Sequence, residues 1–197
     1  LVPSSGPLTA NLDSIRELED AGASAIVLPS IFEEELIHEQ ALMARFIEHQ
    51  NIGHHEADSF LPQPDNYHSH LDTMLCLIER CKQSIDIPVI GSINGISPSG
   101  WMECAQDLQQ AGCDAIELNL YSIAADAKQT AKDVEQEFLE VVSHLNKKVT
   151  IPITVKLSSQ FSSLCNFAQK LEQTGADGLV CFNRFFQPDI NLETLEL

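Results

Sequence analysis

The stretch Leu18-Glu-Asp-Ala-Gly-Ala-Ser-Ala-Ile26 decides how this chain is organised, because closely similar stretches occur twice more. The other two copies are Leu108-Gln-Gln-Ala-Gly-Cys-Asp-Ala-Ile116 and Leu171-Glu-Gln-Thr-Gly-Ala-Asp-Gly-Leu179. In each copy a helical pattern stops at the glycine in the fifth position, and an apolar run follows after a short turn. Glycine commonly closes a helix by adopting a positive φ, and a continuous apolar run is typical of a buried parallel strand. The repeat therefore predicts recurring helix–turn–strand units.

A second repeat alternates with the first. Asp86-Ile-Pro-Val-Ile-Gly91 resembles Thr150-Ile-Pro-Ile-Thr-Val155, and in both a proline opens an apolar run. Proline is tolerated at the first residue of a strand because no hydrogen bond inside the sheet is lost. The distance along the chain from Pro88 to Pro152 is within one residue of that from Gly112 to Gly175. A strand–helix pair of constant length that recurs in this way favours a β/α barrel over an open sheet.

These patterns predict a single α/β domain over residues 1–197, an incomplete (β/α)8 TIM barrel of about six strand–helix units. The start of the first strand and the last two units of the barrel are expected to be missing. An open, doubly wound six-strand sheet is the structural alternative. The predicted strands are 1–5, 24–29, 88–93, 115–121, 153–158 and 178–183, and the predicted helices are 11–21, 31–49, 68–83, 100–111, 131–146 and 163–174.

Composition excludes several classes of function. The formal net charge is −18 and there are only 11 Lys and Arg residues, which argues against a nucleic-acid or anionic-membrane surface. No apolar run is long enough to span a membrane, and no signal peptide is recognisable. The six cysteines form no C-x-x-C pair, so we expect reduced, mostly buried thiols in a cytoplasmic protein.

The first repeat unit is longer than the later ones, and the surplus lies in residues 31–70. An insertion in a β/α barrel commonly follows the carboxyl end of a strand, on the active-site face. The surplus therefore predicts a lid or substrate loop, with a decorative loop as the alternative. Its histidines (His54-His55 and His68-Ser-His70) do not form an H-E-x-x-H pattern, and we interpret them as exposed loop residues rather than metal ligands.

Polar residues stand where four apolar runs end. They are Ser4-Ser5-Gly6, Glu117-Leu-Asn119-Leu-Tyr-Ser122, Lys156 and Asn183, and in a barrel these positions converge on one mouth. Lys156 is the most informative, because core residues flank it in Ile-Thr-Val-Lys-Leu and a buried ammonium needs a compensating anion. The residue predicts either a contact with a cofactor or substrate, or an internal salt bridge.

This ordered set of strand ends resembles the dihydroorotate dehydrogenase family over essentially the whole chain. The matching residues are Ser4-Ser5-Gly6, Asn119 within E-L-N-L, Lys156 within V-K-L, and Asn183. Two further stretches, 86–95 and 182–190, are most similar to the offshoot called dihydroorotate dehydrogenase-like proteins. The resemblance implies an FMN-dependent oxidoreductase that transfers hydride from a small CH–CH substrate to flavin, in chemistry like that of pyrimidine biosynthesis.

The resemblance also implies roles for individual residues. Ser4, Ser5 and Gly6 would lie beside the isoalloxazine, and Asn119 and Asn183 would contact carbonyl groups of flavin or substrate. Lys156 would lie near the flavin N1/O2 edge and stabilise the negative charge that develops there on reduction. Ser122 falls where the family places the base that removes a proton from the substrate carbon.

Three departures concern the substrate side of the family pattern. Ile123-Ala124 stand where members usually carry Pro-Asn after the base, and Pro29 stands where a lysine is expected. An Asn-rich substrate loop is not recognisable either. The departures favour a flavoprotein with a substrate other than dihydroorotate.

Two rival functions remain open at this point. One is a phosphate-binding barrel lyase or aldolase that uses Lys156 as a Schiff-base amine. The other is a non-catalytic binding protein that retains the flavin-family fold. The expected partner is a small-molecule substrate, with no nucleic acid, membrane or metal, and a homodimer of the full-length protein is left open.

Overall fold

A computed structural model describes residues 1–50, 69–94, 98–121 and 125–183. Within them the chain alternates between strands and helices, as the repeats predict. The strands are β1 (Ile26–Phe32), β2 (Val89–Asn94), β3 (Ala115–Leu120), β4 (Ile153–Leu157) and β5 (Gly178–Cys181). The helices are α1 (Leu12–Asp20), α2 (Glu33–Gln50), α3 (His70–Lys82), α4 (Pro98–Ala111), α5 (Ala131–Asn146) and α6 (Leu164–Thr174), with a 3-10 turn at Pro7–Thr9.

The described strands form one parallel sheet in the order β1-β2-β3-β4-β5, so that each strand pairs with the next one along the chain. A doubly wound sheet reverses its strand order at a switch point, whereas a barrel adds every strand on the same side. The described strands contain no reversal, which makes the doubly wound alternative wrong for this part of the chain. The fold is α/β and consistent with part of a (β/α)8 barrel.

The two faces of the sheet differ in chemistry. Side chains alternate between faces along each strand, so residues such as Ile116, Leu118 and Leu120 share one face. That face is apolar and packs with buried side chains of the helices, including Leu108 and Phe167, in one hydrophobic core. The opposite face is largely polar towards the carboxyl ends of the strands. Its members there are Ser30, Ser92, Asn94, Glu117, Asn119 and Lys156.

The glycines of the first repeat have the backbone conformation that the repeat predicts. The φ angles of Gly22, Gly112 and Gly175 are 94°, 108° and 116°, and each residue lies within two positions of the end of a helix. Hydrogen bonds from the residue after each glycine return to the last helical turn: Ala23 donates to Leu18, and Ala176 to Leu171. The chain is thereby turned back toward the sheet at the same point of each unit.

The predicted first strand, residues 1–5, is not formed as a strand. The segment runs beside β1 and accepts two hydrogen bonds, from Ser24 N to Leu1 O (2.8 Å) and from Val27 N to Pro3 O (3.3 Å). Pro3 has no N–H to donate, which limits the ladder that this segment can build. The described sheet therefore has five strands rather than the six that the sequence predicts.

Strand β1 is longer than predicted and continues past Pro29 to Phe32. The pairing register between β1 and β2 shifts between Val27 and Ser30, which places Leu28 and Pro29 outside the regular ladder. An irregularity of this kind accommodates a residue that lacks a backbone donor. After it, Ser30 pairs with Ser92 and points a hydroxyl toward the polar face.

The cysteines are free, but they are less buried than the sequence suggests. Cys81, Cys104 and Cys113 are buried in the core, whereas Cys76, Cys165 and Cys181 are exposed. The expectation of mostly buried thiols is thus wrong for half of them. Apolar neighbours in sequence did not distinguish the core face of a helix or strand from its outer face.

Candidate functional site

A cavity of about 490 Å³ lies at the carboxyl ends of the strands, on the polar face of the sheet. This is the end at which parallel β/α folds place their active sites, and the volume lies in the range typical of sites for small molecules. Five residues that the sequence singled out line it together, namely Ser4, Ser5, Asn119, Lys156 and Asn183. The remaining lining residues are Ser30, Phe32, Asn94 and Tyr121.

Lys156 extends from β4 and forms a buried ion pair. Its Nζ atom donates to Oε1 of Glu117 at 2.9 Å, and the exposed fractions of the two side chains are only 8% and 5%. The ammonium also donates to the Ser4 hydroxyl at 3.5 Å. This is the internal salt bridge that the sequence left as one alternative, yet Lys156 reaches the cavity as well. A cofactor contact therefore stays a prediction.

Glu117 lies on β3, and its register partners on the two adjacent strands are both polar. It occupies the same face as Asn119, and Asn119 is the register partner of Lys156 on β4. The carboxylate and the ammonium are thus diagonal neighbours across two strands, a separation that long side chains can span. Burying either charge alone would be expensive, so the pair is held by mutual compensation.

A row of serine hydroxyls continues from the ion pair across the sheet. The Ser92 hydroxyl donates to Glu117 Oε1 at 3.5 Å, and it lies 2.8 Å from the Ser30 hydroxyl. The Ser30 and Ser5 hydroxyls are 3.2 Å apart. Ser92 is almost fully buried, while Ser5 lines the cavity. The row connects the buried carboxylate to the cavity wall.

Asn119 carries a buried polar atom with no hydrogen-bond partner among the described residues. Its Oδ1 atom is inaccessible to solvent, and the residue as a whole is 8% exposed. A buried acceptor without a partner is destabilising and is uncommon in proteins. Because Asn119 lines the cavity, a rotation of its side-chain amide would turn this oxygen toward an N–H group of a bound molecule.

The other predicted site residues have different positions. Gly6 accepts hydrogen bonds from the Thr9 backbone and hydroxyl (3.1 and 3.0 Å), and so forms the turn that follows Ser4 and Ser5. The Asn183 backbone N–H donates to Leu157 O at 2.8 Å, which anchors the residue beside β4. Ser122, with Ile123-Ala124, lies outside the described residues, as do His54, His55 and His68. His70 begins α3, and its backbone N–H donates to the Glu39 carboxylate.

Several lining or supporting residues were not assigned a role from the sequence. Glu117, Ser30, Ser92 and Asn94 are polar residues inside or at the end of predicted strands. The available signal was alternation, which is clearest where apolar residues that face the helices stand on both sides of a polar one. Applied to Ile-Glu-Leu-Asn-Leu at 116–120, that rule places Glu117 with Asn119. Phe32 and Tyr121, which stand at the ends of their strands, had no comparable signal.

Curated proteins with similar sequences are dehydrogenases. The chain is 32% identical over 118 residues to the catalytic subunit of dihydroorotate dehydrogenase B (NAD(+)) of Methanosarcina mazei, covering 59% of this chain and 38% of that protein. It is 27% identical over 184 residues to the subunit of the same name of Thermoplasma acidophilum, covering 93% of this chain and 57% of that protein. It is 30% identical over 117 residues to the NAD-dependent dihydropyrimidine dehydrogenase subunit PreA of Escherichia coli, covering 57% and 28%.

These similarities confirm the predicted resemblance to dihydroorotate dehydrogenases. The chain spans at most little more than half the length of these relatives. No protein-family model matches the chain. Among solved structures, 2,3-dimethylmalate lyase, a member of the PEP mutase/isocitrate lyase superfamily, has a TM-score of 0.54 at 14% identity, covering 92% of this chain and 56% of the other. At that identity the likeness concerns the fold alone.

The described segments show neither a membrane-spanning helix nor a cluster of metal ligands. Their helices include none with the length and apolar character needed to cross a membrane. Nor do His, Cys, Asp and Glu side chains gather there in a group of three or more that could hold a metal ion.

Proposed function

We propose that this chain carries the flavin-contacting strand ends of an FMN-dependent dehydrogenase that acts on a CH–CH bond, with chemistry like that of dihydroorotate dehydrogenase. The observation that supports it most directly is the cavity that Lys156 and Asn119 line together, with the Asn119 Oδ1 atom lacking a partner among the described residues. Independent support comes from the sequence similarity to dehydrogenases of dihydroorotate and dihydropyrimidine.

The side chains around the cavity match the polar edge of a flavin. That edge presents carbonyl oxygens and a ring N–H, which call for donors and an acceptor in close proximity. Lys156 and the amide groups of Asn119 and Asn183 would supply donors, and Asn119 Oδ1 would accept from the ring N–H. Ser4 and Ser5 add hydroxyls to the cavity lining, and the Ser4 hydroxyl lies 3.5 Å from the Lys156 ammonium. These five residues are the ones that would hold FMN.

When bound, FMN supplies the two-electron acceptor for a hydride from the substrate. The contribution of Lys156 would be a fixed positive charge in a poorly hydrated site, where it favours negative charge on a neighbouring ring without reorganisation. Ser122 would take the proton from the substrate carbon, a role that rests on the family resemblance alone. Phe32 and Tyr121 would exclude water from the cavity wall.

The substrate is proposed to be a small reduced molecule other than dihydroorotate. Pro29, which stands where the family carries a lysine, lies in the irregular part of β1, directly before the cavity residue Ser30. A proline there offers no charge to a substrate carboxylate. We expect dihydroorotate to reduce the flavin of the full-length protein more slowly than about 1 s⁻¹, the lower end of usual turnover rates.

The Schiff-base rival needs an unprotonated amine at Lys156. The Lys156 Nζ atom is already bound to the buried Glu117 carboxylate at 2.9 Å, so it is not free to attack a carbonyl carbon, which weakens the lyase alternative. Lys156 is also the sole cation among the residues that line the described cavity, which leaves a phosphate group with one charged contact.

The free thiols fit a cytoplasmic location, which is part of the proposal.

The test is the visible absorbance of the full-length protein as purified, followed by titration with FMN. We expect a flavin spectrum, or stoichiometric binding of added FMN. Lys156→Met should weaken FMN binding, whereas Lys170→Met, at a lysine whose side chain is 41% exposed on α6, should not. Absence of FMN binding would overturn the proposal, and a borohydride-trapped adduct at Lys156 would establish the lyase instead. Binding without reduction by any donor would identify the non-catalytic rival.

A further inference from the structure

The two partners of the buried ion pair differ in their access to the cavity. Lys156 lines the cavity, but its partner Glu117 does not, and Glu117 is only 3% exposed. Ser92, which donates to the same carboxylate oxygen, is 1% exposed and likewise does not line the cavity. Glu117 therefore belongs to a buried layer that supports the residues that a ligand would touch.

The position of Glu117 fixes where the Lys156 ammonium is found. Oε1 of the carboxylate accepts from Nζ at 2.9 Å, while the Ser4 hydroxyl accepts from the same ammonium at 3.5 Å on the cavity side. A lysine side chain has four rotatable bonds, so without a strong acceptor its amine would sample many positions. A charged, buried acceptor confines it far more than an exposed hydroxyl can.

We propose that Glu117 is a positioning residue that holds the Lys156 ammonium at the floor of the cavity and offsets part of its charge. The positive potential that a ligand experiences is then the difference between a near cation and a slightly more distant anion. The potential therefore changes when either charge is altered, because both charges are poorly screened in a buried site. The part of this inference that concerns flavin rests on the proposed function, whereas the part that concerns Lys156 does not.

The first measurement needs no flavin. Competitive acetylation of lysines with acetic anhydride, read by peptide mass spectrometry, reports how accessible and reactive the Lys156 amine is. We expect its labelling to rise at least about fivefold in Glu117→Gln, since the charge-assisted hydrogen bond is replaced by a weaker one to a neutral amide oxygen. In Glu117→Asp the carboxylate remains but is one methylene shorter, so labelling should rise by less.

A matched control comes from the surface ion pair of Lys170 and Glu135, whose atoms are 3.0 Å apart. Glu135→Gln makes the same chemical change, from a carboxylate to an amide, at this second pair. It should leave the labelling of Lys156 unchanged. Glu117→Asp also keeps the test available if Glu117→Gln does not fold, because it retains the buried countercharge. Unchanged Lys156 labelling in Glu117→Asp and, where it folds, Glu117→Gln would overturn the inference.

The second measurement is the two-electron potential of FMN bound to the full-length protein. Glu117→Gln should favour reduced over oxidised FMN by about tenfold, which is about 30 mV upward for a two-electron couple. Lys156→Met should move the potential downward, and Glu117→Asp should stay close to the parent. A purely structural role would move all three variants in one direction together with their melting temperatures. If no variant and no parent binds FMN, the proposed function fails, and the labelling result still decides the role of Glu117.

Discussion

Asn119 and Lys156 are register partners on adjacent parallel strands, and both point into the same cavity. Lys156 is satisfied by Glu117, whereas Asn119 Oδ1 has no partner among the residues that the structure describes. Within the described part of the chain this buried acceptor is unsatisfied, at a position where a ligand could satisfy it. Unfavourable features of this kind are typical of functional sites, where stability is traded for binding.

Asn119→Leu should therefore separate stability from binding. Leucine is similar in volume and removes the unsatisfied acceptor, so we expect the free energy of unfolding to rise by about 1 kcal/mol in urea titrations without ligand. The same change should weaken FMN binding by at least about tenfold, since one hydrogen bond is worth about that much when its partner is left buried. Lower stability together with unchanged FMN affinity would show that Asn119 is a structural residue.

The buried ion pair gives a prediction about stability that is independent of the cofactor. Lys156→Met should lower the free energy of unfolding by about 3–5 kcal/mol, because it leaves the Glu117 carboxylate buried and unpaired. The double variant Lys156→Met/Glu117→Leu should recover most of the loss, since buried pairs can often be replaced by apolar residues. Lys82→Met removes an ion pair whose side chains are 37% and 39% exposed and should cost no more than about 1 kcal/mol. A double variant no more stable than Lys156→Met would contradict this account.

Much of the architecture could be predicted because it depends on local signals. The glycine that closes a helix and the proline that opens a strand each act within about ten residues, and together with the apolar runs after them they located β2 to β5 and their helices to within a few positions. Lys156 could be recognised because a charge between Val155 and Leu157 conflicts with its surroundings. Asn119 and Asn183 could be recognised as polar residues at the ends of apolar runs, whereas their contact with flavin was predicted from the family resemblance alone.

The features that were missed depend on the pairing of strands. The anion that pairs with Lys156 is determined by the register between β3 and β4. That register cannot be read directly from the sequence. The register pairs Lys156 with the neutral Asn119 and leaves Glu117 as the diagonal neighbour that supplies the anion. The continuation of β1 beyond Pro29 likewise depends on an irregular pairing with β2. Local sequence patterns determine the helices and strands, whereas the contacts between helices and strands determine the geometry of the site.

Two helix-terminal glycines offer a matched pair of substitutions. Gly22 and Gly175 both have a positive φ, but a β carbon at Gly22 would meet nothing, whereas one at Gly175 would overlap the side chain of Asn146. Gly22→Ala should cost about 1 kcal/mol, the backbone term alone. Gly175→Ala should cost at least about 1 kcal/mol more, because steric overlap adds to the strain. Equal losses in urea titrations would mean that Asn146 moves aside freely.

The buried thiols predict how stability changes in alkaline solution. Burial is the main cause that raises the pKa of Cys104 to about 12, with Asp107 and Glu33 adding to it, and burial likewise raises the pKa of Cys113 to about 12. In the unfolded chain both thiols ionise near their ordinary pKa of 9.0, so between pH 9 and about 12 the unfolded state has lost protons that the folded state keeps. The stability that these thiols contribute is fully present below pH 9 and is lost as the pH rises toward 12.

Each thiol should lower the free energy of unfolding by up to about 1.4 kcal/mol per pH unit in that window. Urea titrations of the parent at pH 8, 9, 10 and 11 would give the slope, to be compared with that of Cys104→Ala/Cys113→Ala. The double variant starts from a lower stability because it leaves small cavities in the core, but its slope should be shallower. Cys165→Ala, at an exposed thiol on α6, is the control and should follow the parent. Parallel curves for the parent and the double variant would show that both thiols ionise as readily in the folded protein as in the unfolded chain.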